Sequence, residues 1–154
     1  MREKKHRLPT SCYQRRVIVS FTLCLKNRIP VFTEKKIVDI FTQVLLDALE
    51  KFDCESLVYL FMPDHCHFLK QGKSDHANVI DVINDFKKKT GFWLYKNAPN
   101  VRWQKDYYDH IVRSEDEIQR HIWYILGNPV RKNIIQDWKE YPFKGSTVYD
   151  LHKW

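Results

Sequence analysis

The strongest local indication of the fold lies in residues 55–71, ESLVYLFMPDHCHFLKQ. Two runs rich in β-forming side chains flank Pro63 and its following aspartate, a pair that favours a tight connection. The stretch therefore predicts a β-hairpin whose second arm begins at His65. Because side chains alternate along a strand, His65 and His67 are expected on one face, with the intervening Cys66 in the core on the other.

Segments with helical and strand periodicity flank this hairpin on both sides. Gly91 is expected just after the second helix, and residues 93–103 are expected to form a connection. The predicted elements are a strand at 17–24, a helix capped by Thr33 and ending near 52, the hairpin strands at 55–62 and 65–71, a helix from 75 to about 89, a strand at about 107–113, and a helix that opens with the capping box Ser114–Glu117 and ends near 127. The order β-α-β-β-α-β-α predicts an α+β fold. We expect a ferredoxin-like four-stranded antiparallel sheet with helices on one face, plus a C-terminal helix that carries Tyr124.

Size and charge limit the classes of protein to consider. The 154 residues suffice for one domain, expected at 16–154 after a basic N-terminal arm at 1–15. A net charge of +7 favours a polyanionic partner, although basicity also aids solubility. Four scattered cysteines are expected to be reduced, and the longest apolar run, 57–62, is far too short to span a bilayer. With a charged N-terminus that does not look like a signal peptide, the sequence predicts a cytoplasmic protein without a membrane partner.

The two histidines of the hairpin and the last helix together suggest phosphodiester chemistry. His65 and His67 supply two ligands for a divalent ion, and a catalytic site needs a third ligand and open positions. On the last helix, His121, Tyr124 and Asn128 fall within one narrow sector, so the Asn128 amide can face the same site as Tyr124. Imidazole with an amide oxygen suits Mg²⁺ or Mn²⁺. Taken singly, a His-x-His pair and a tyrosine beside a core stripe are more often structural than functional.

The residues around these positions resemble the HUH signature of single-tyrosine transposases that act on single-stranded DNA. The resemblance is to the REP-associated branch and runs from about residue 14 to 143. It rests on 62–69, Trp103-Gln104, 107–110, the helix start at 114–117, and 124–131. Two departures stand out: Cys66 replaces the usual aliphatic residue, and Asn128 stands where a better-known branch has Gln.

This resemblance implies a nuclease domain with a divalent metal, Mg²⁺ or Mn²⁺, on His65 and His67. Tyr124 would be the nucleophile that forms a 5′-phosphotyrosine intermediate, and Asn128 the third ligand. The family cleaves and rejoins single-stranded DNA beside a folded hairpin without an external energy source. Tyr107, Tyr108 and Tyr149 are rival nucleophiles, but none has the helical placement of Tyr124.

Basic and aromatic residues outside this site are candidate DNA contacts. Trp93, Tyr95 and Trp103 are expected to offer a base-stacking surface beside lysines. His110 is interpreted either as a residue that orients a phosphate or as a structural histidine. The predicted DNA-binding residues are Arg15, Arg16, Lys87, Lys88, Lys89, Trp103, Lys105, His110 and Arg131.

Three alternatives to a transposase remain open at the level of sequence. The first is an inactive, domesticated protein that binds hairpin DNA or RNA on the same fold. The second is a replication-initiator or relaxase nickase, which the short chain disfavours. The third is a metal-dependent hydrolase of small molecules, disfavoured because no acidic base accompanies the histidines. Both a monomer and a homodimer that exchanges the tyrosine helix are compatible with the sequence.

Overall fold

A single antiparallel sheet organises the chain, and the computed structural model describes residues 7–154 of it. The elements are β1 Ile18–Cys24, α1 Lys35–Lys51, β2 Cys54–Met62, β3 His65–Gly72, α2 Val79–Asn97, β4 Tyr108–Val112, α3 Glu115–Leu126, α4 Asn128–Arg131 and β5 Lys144–Gly145. The strand order is β4-β1-β3-β2-β5. Strands β1 to β4 with α1 and α2 form the predicted ferredoxin-like arrangement. The fifth strand has only two residues, too few for an alternating pattern, and the sequence did not predict it.

Strand β3 lies between β1 and β2, and its register determines which side chains share a face. His67 is paired with Thr22 on β1 and with Leu60 on β2. Directly opposed residues of antiparallel strands point to the same side of a sheet, so these three side chains lie together. Cys66 and Phe68 belong to the hydrophobic cluster on the other face. The predicted hairpin and its alternation are therefore confirmed.

Helices cover both faces of the sheet. On one face, α1 and α2 contribute Phe41 and Phe86 to a cluster of edge-to-face and tilted aromatic rings that includes Phe61 and Phe68 of the sheet. On the other face, the apolar stripe of α3 packs against apolar side chains of β2 and β3; its members are Ile122, Ile125 and Leu126. The last helix, predicted as an addition, thus occupies the face opposite α1 and α2.

The two long helices differ from the prediction at their ends. Helix α1 has Glu34 rather than Thr33 at its N-cap. Helix α2 begins at Val79, after Asn78 accepts hydrogen bonds from two backbone N–H groups of the first turn, and it continues to Asn97. Gly91 lies inside α2 with open space around its Cα, so its cost is that of an exposed helical glycine, about 1 kcal/mol. Leu94, buried one turn later, stabilises the continued helix.

The predicted N-terminal arm is partly packed. Arg2, Lys4 and Lys5 lie outside the described residues. From residue 7 onward the segment contacts the sheet: the Tyr13 hydroxyl donates to Asp109 Oδ2 at 2.5 Å, and the Arg7 guanidinium lies 3.7 Å from the centre of the Tyr107 ring. Tyr13 is fully buried, so the packed domain reaches back beyond the predicted boundary at residue 16.

The C-terminal segment packs against the sheet, as predicted. The Tyr141 hydroxyl donates to the carbonyl oxygen of Phe61, and β5 pairs with β2. The four cysteines are all free thiols. Within residues 7–154 there is no helix with the length and apolar character needed to cross a bilayer.

Candidate functional site

Three side chains converge where β3 begins and α3 gives way to α4. The rings of His65 and His67 lie edge to face, with centroids 4.9 Å apart. Asn128 Nδ2 lies 2.8 Å from His67 Nε2 and 3.3 Å from His65 Nε2. All three residues are buried. The structure thus brings together the three side chains that the sequence predicts as metal ligands.

Neighbouring side chains orient the two imidazoles. His67 Nδ1 lies 3.0 Å from the Thr22 hydroxyl, and His65 Nδ1 lies 2.6 Å from Asp64 Oδ1. A proton on each Nδ1 satisfies these contacts and leaves a lone pair on each Nε2, which then accepts from the Asn128 amide. Arg28 holds Asp64 in place through a hydrogen bond from Nε to Oδ2 at 2.9 Å. This is the arrangement of metal-binding histidines, whose second nitrogen donates to a fixed oxygen.

Burial keeps both imidazoles neutral. Loss of solvation lowers the pKa of His67 to about 3, and the positive charges of Arg131 and Arg28 contribute to the same direction. Loss of solvation also lowers the pKa of His65, against the raising effect of Asp64. A neutral imidazole is the form that binds a metal ion. Both histidines are therefore ready to act as ligands at neutral pH.

The donor set fits a catalytic divalent ion. Two imidazole nitrogens and one amide oxygen give three protein ligands, and the remaining positions stay open for substrate oxygens and water. The nitrogen and oxygen of an amide group occupy equivalent positions, so a half-turn of the Asn128 amide presents Oδ1 where Nδ2 now donates. His65, His67 and Asn128 could hold Mg²⁺ or Mn²⁺ in this way.

Tyr124 shares a cavity with His67. The phenol is 57% exposed on α3, and the Arg131 guanidinium lies 4.1 Å from its ring centre. Arg131 also donates to the Tyr124 carbonyl oxygen. The cavity has a volume of about 330 Å³, and its lining residues are Ser20, Thr22, His67, Glu117, Arg120, His121, Tyr124 and Ile125. Tyr124 and His67, both from one chain, therefore face the same solvent-accessible space.

Several residues of this site escaped sequence analysis. Thr22 reaches His67 only through the pairing of β1 with β3, which no local pattern reveals. Arg28 lies in a short turn with a positive φ and contacts Asp64. Asp64 immediately precedes His65, and this adjacency was the one signal present in the sequence. Arg120 was not distinguished from other surface charges.

The predicted DNA-binding residues are scattered over the surface. Lys87 is half-buried, and its Nζ donates to the backbone carbonyls of Gln104 and Lys105 at 2.9 and 3.0 Å. The lysines of α2 lie on the helix that covers the opposite face of the sheet from His67. His110 is exposed on β4. The other exposed members of the predicted set are Arg15, Arg16, Lys88, Lys89, Lys105 and Arg131.

Trp103 is a correction to the predicted base-stacking surface. Only 9% of it is exposed, and its ring packs near Phe32 and Phe86 in the core. Its indole N–H donates to the Thr90 hydroxyl at 2.9 Å. A ring held in this way has no free face for a base. Trp93 and Tyr95 lie on α2 rather than in a connection, and Tyr95 is largely exposed.

Comparisons with known proteins identify a matching family and similar folds. Residues 13–127 match the family model described as "Transposase IS200 like". A Haemophilus influenzae protein, assigned by name to the REP-associated tyrosine transposases, is 25% identical over 134 residues, which cover 80% of this chain and 76% of that protein.

Two solved structures have a similar fold. One is a REP-associated tyrosine transposase bound to a REP hairpin, with a TM-score of 0.71 and 18% identity, covering 92% of this chain and 81% of that one. A chain from Deinococcus radiodurans R1 classed as a transposase has a TM-score of 0.53 and 19% identity, covering 79% of this chain and 95% of that one.

Proposed function

This chain belongs to the IS200-like transposase family, and we propose that it cleaves and rejoins single-stranded DNA through a covalent bond between Tyr124 and a 5′ phosphate. The observation that carries the proposal is the shared cavity of Tyr124 and His67, with Asn128 against both histidines. Transesterification at phosphorus needs a nucleophile and a group that stabilises charge on the phosphate. The exposed phenol and the buried, oriented pair of imidazoles can provide these two functions.

In the proposed reaction, the Tyr124 oxygen attacks the scissile phosphorus and loses its proton to solvent. The phosphorus–oxygen bond to the 3′ oxygen breaks, and that oxygen leaves as a hydroxyl after taking up a proton. One phosphodiester is exchanged for another, so rejoining by a free 3′ hydroxyl needs no external energy. Arg131, stacked on the Tyr124 ring and bonded to its backbone, restricts the orientation of the phenol.

The histidine pair and Asn128 would hold a divalent ion, which would polarise the scissile phosphate and stabilise the charge that develops on its oxygens. Thr22 and Asp64 fix the two imidazoles before substrate arrives. Because these imidazoles are already neutral, they need not lose a proton before binding the ion. The protein therefore supplies a preorganised ligand set rather than one formed on binding.

Positive side chains surround the site on its open sides. Arg120 lines the cavity with Tyr124, while Arg28 and Lys132 line a neighbouring cavity with His65. The charges of Arg28 and Lys132 contribute to the lowered pKa of His65, and that of Arg28 also contributes to the lowered pKa of His67, so both cations are within electrostatic reach of the site. These positive charges favour the binding of a polyanion over that of a small neutral substrate. Since a relative of this fold was solved with a REP hairpin, we propose single-stranded DNA with a hairpin as the substrate.

A covalent-adduct assay tests this function. The protein is incubated with Mn²⁺ and labelled hairpin oligonucleotides that carry single-stranded flanks, and products are separated under denaturing conditions. The wild type should form a protein–DNA adduct with a free 3′ hydroxyl on the released strand. Tyr124→Phe should form none yet keep hairpin affinity, since its fold and charge are unchanged.

Tyr108→Phe is the matched control for this assay. Tyr108 is a half-buried phenol on β4, opposite Thr22, so it lies on the same face of the sheet as His67. Its substitution should leave adduct formation intact. An adduct formed by Tyr124→Phe would refute the assignment of the nucleophile. Hairpin binding by the wild type without any adduct would instead favour the inactive, DNA-binding alternative.

A further inference from the structure

Three side chains of metal-ligand type meet beside the cavity that Tyr124 and His67 share, and two of the three line it. They are His110 of β4 with Glu117 and His121 of α3, and one ligand atom from each lies within 4.8 Å of the others. His110 Nε2 is 2.5 Å from Glu117 Oε1. The rings of His110 and His121 are stacked, with centroids 5.4 Å apart and planes 18° from parallel. None of the three belongs to the His65–His67–Asn128 set.

Helix spacing, a hydrogen bond to the backbone and strand pairing bring these three side chains together. Glu117 and His121 are four residues apart, hence on one face of α3. Glu117 Oε2 accepts the backbone N–H of Arg113 at 2.9 Å at the start of the helix, which fixes the carboxylate. His110 is paired with Ser20 on β1, two residues from Thr22, and therefore points to the same side of the sheet.

We propose that His110, Glu117 and His121 form a second divalent-cation site, suited to a transition metal of the Zn²⁺ class. Two imidazoles and one carboxylate are a donor set that Zn²⁺ uses with a fourth position left open to solvent or substrate. Both this set and the one around Asn128 contain two imidazoles, and they differ in the third donor, which is a carboxylate here and an amide there. The negative charge of the carboxylate would strengthen the binding of a divalent ion at this second site.

The charge states of the cluster agree with this role. The hydrogen bond from Arg113 and that with His110 lower the pKa of Glu117 to about 2, so the carboxylate is ionised. Burial, followed by the charge of His110, lowers the pKa of His121 and favours its neutral form. A His110 ring that binds the ion through Nε2 would carry its proton on Nδ1, which is the other tautomer of the neutral imidazole.

The position of the cluster indicates what the ion would do. Glu117 and His121 line the cavity that also contains Tyr124, His67 and Arg120. A cation there would add positive charge to the cavity that Arg120 also lines, and would bind a second phosphate of the DNA strand. This role rests on the proposed function, but binding of the ion does not.

Metal titration of the full chain tests the site. The double variant His65→Ala/His67→Ala removes the first ligand set and serves as the background. It is titrated with Zn²⁺ by calorimetry and with Co²⁺ by visible absorption, which reports coordination geometry. We expect one equivalent of either ion with a tetrahedral or five-coordinate Co²⁺ spectrum. Adding His121→Ala should abolish this binding, while adding His152→Ala, at an exposed C-terminal histidine, should not.

Thermal unfolding of each variant without metal separates loss of ligands from loss of fold. A background variant that is folded and binds no ion would overturn the proposal and leave a hydrogen-bonded His–Glu–His cluster. Binding that survives His121→Ala would overturn it as well. Neither result bears on Tyr124, because the adduct assay with Mn²⁺ reports on that residue separately.

Discussion

The two sides of strand β3 handle buried ionisable groups in opposite ways. Toward α1 and α2, Lys70 is fully buried and its Nζ has no hydrogen-bond partner within residues 7–154. The nearest groups include the rings of Phe68, Phe21 and Phe86, at 4.1, 6.0 and 6.0 Å. Toward α3, His67 is almost as buried, but one ring nitrogen contacts Thr22 and the other Asn128.

Burial alone therefore does not identify a functional group. Burial lowers the pKa of Lys70 to about 7 and that of His67 to about 3, so both are shifted toward the neutral form. Only His67 is surrounded by polar atoms that converge on one point. A buried polar group without partners costs stability, whereas one with oriented partners can bind a ligand. On the same strand, Lys70 therefore lowers the stability of the fold, whereas His67 belongs to a candidate metal site.

The largest expected effect comes from substituting His67, with its neighbour Cys66 on the same strand as the control. His67→Ala removes a proposed ligand, and we expect the rate of adduct formation to fall by more than about 100-fold. Cys66→Ala, whose side chain faces the helices, should leave that rate near the wild-type value. Both rates are measured by gel with Mn²⁺ and hairpin DNA. A similar loss in both variants would mean that β3 acts through its packing and not through the imidazole.

Phe68→Ala should damage the opposite property. It removes a fully buried ring from the aromatic cluster, and we expect the free energy of unfolding to fall by about 3–5 kcal/mol. Urea denaturation measures this change, with Tyr124→Phe as an exposed control that should alter stability by less than about 0.5 kcal/mol. A loss for Phe68→Ala as small as that of the control would show that this face is not the main core.

Lys70→Met should stabilise the protein, because it replaces a fully buried amine with an apolar side chain of similar length. The expected gain is about 2–3 kcal/mol at pH 7. The pKa of Lys70 is near 7 when folded and 10.5 when unfolded, so between these values the unfolded chain binds more protons. Stability from this group therefore rises as pH increases from 7 toward 10.5, and the full penalty persists below pH 7.

Urea denaturation at pH 7 and 8.5 checks this slope. The wild type should gain stability relative to Lys70→Met as pH rises. The range stops at 8.5 because Cys54, whose pKa burial raises to about 11, works in the opposite direction once unfolded thiols ionise near pH 9. A difference between the two proteins that stays constant with pH would indicate that the Lys70 amine is solvated.

The smallest effect should come from Thr22, which contacts one of the proposed metal ligands. Thr22→Val removes the hydroxyl that orients His67 while nearly preserving shape, and we expect Mn²⁺ affinity to fall by about 10-fold. Thr22→Ser keeps the hydroxyl and should retain the affinity. Calorimetric titration measures both. Equal affinities for the Val and Ser variants would show that the strand alone orients the imidazole.

Much of the fold was predictable because its signals are local. The hairpin at 55–71 and the capping box at Ser114 predicted β2, β3 and α3 with boundaries close to those observed. Helix α2 was predicted too short because Gly91 was taken as a stop signal. A glycine ends a helix only where the following turn gains nothing from packing, and here Leu94 is buried. That gain depends on the tertiary fold.

The candidate site was predictable to a similar degree. His65, His67, Tyr124 and Asn128 were identified by spacing and by resemblance, and the structure brings the histidines and Asn128 into contact. Trp103 was misassigned because an aromatic residue among basic ones has the same local pattern whether it stacks on bases or on Phe32. The grouping of His110 with Glu117 and His121 was not predicted, since its members come from a strand and a helix.

Local sequence patterns were sufficient to predict the order of strands and helices, the shared face of His65 and His67, and the placement of Tyr124 on a helix. These properties follow from periodicities of two and 3.6 residues and need no knowledge of distant segments. The tertiary structure was needed to show that Tyr124 and His67 share a cavity, that Thr22 supports His67, and that Lys70 is buried among aromatic rings. These depend on strand register and on the sheet face that each helix covers, which arise from packing between residues far apart in the chain.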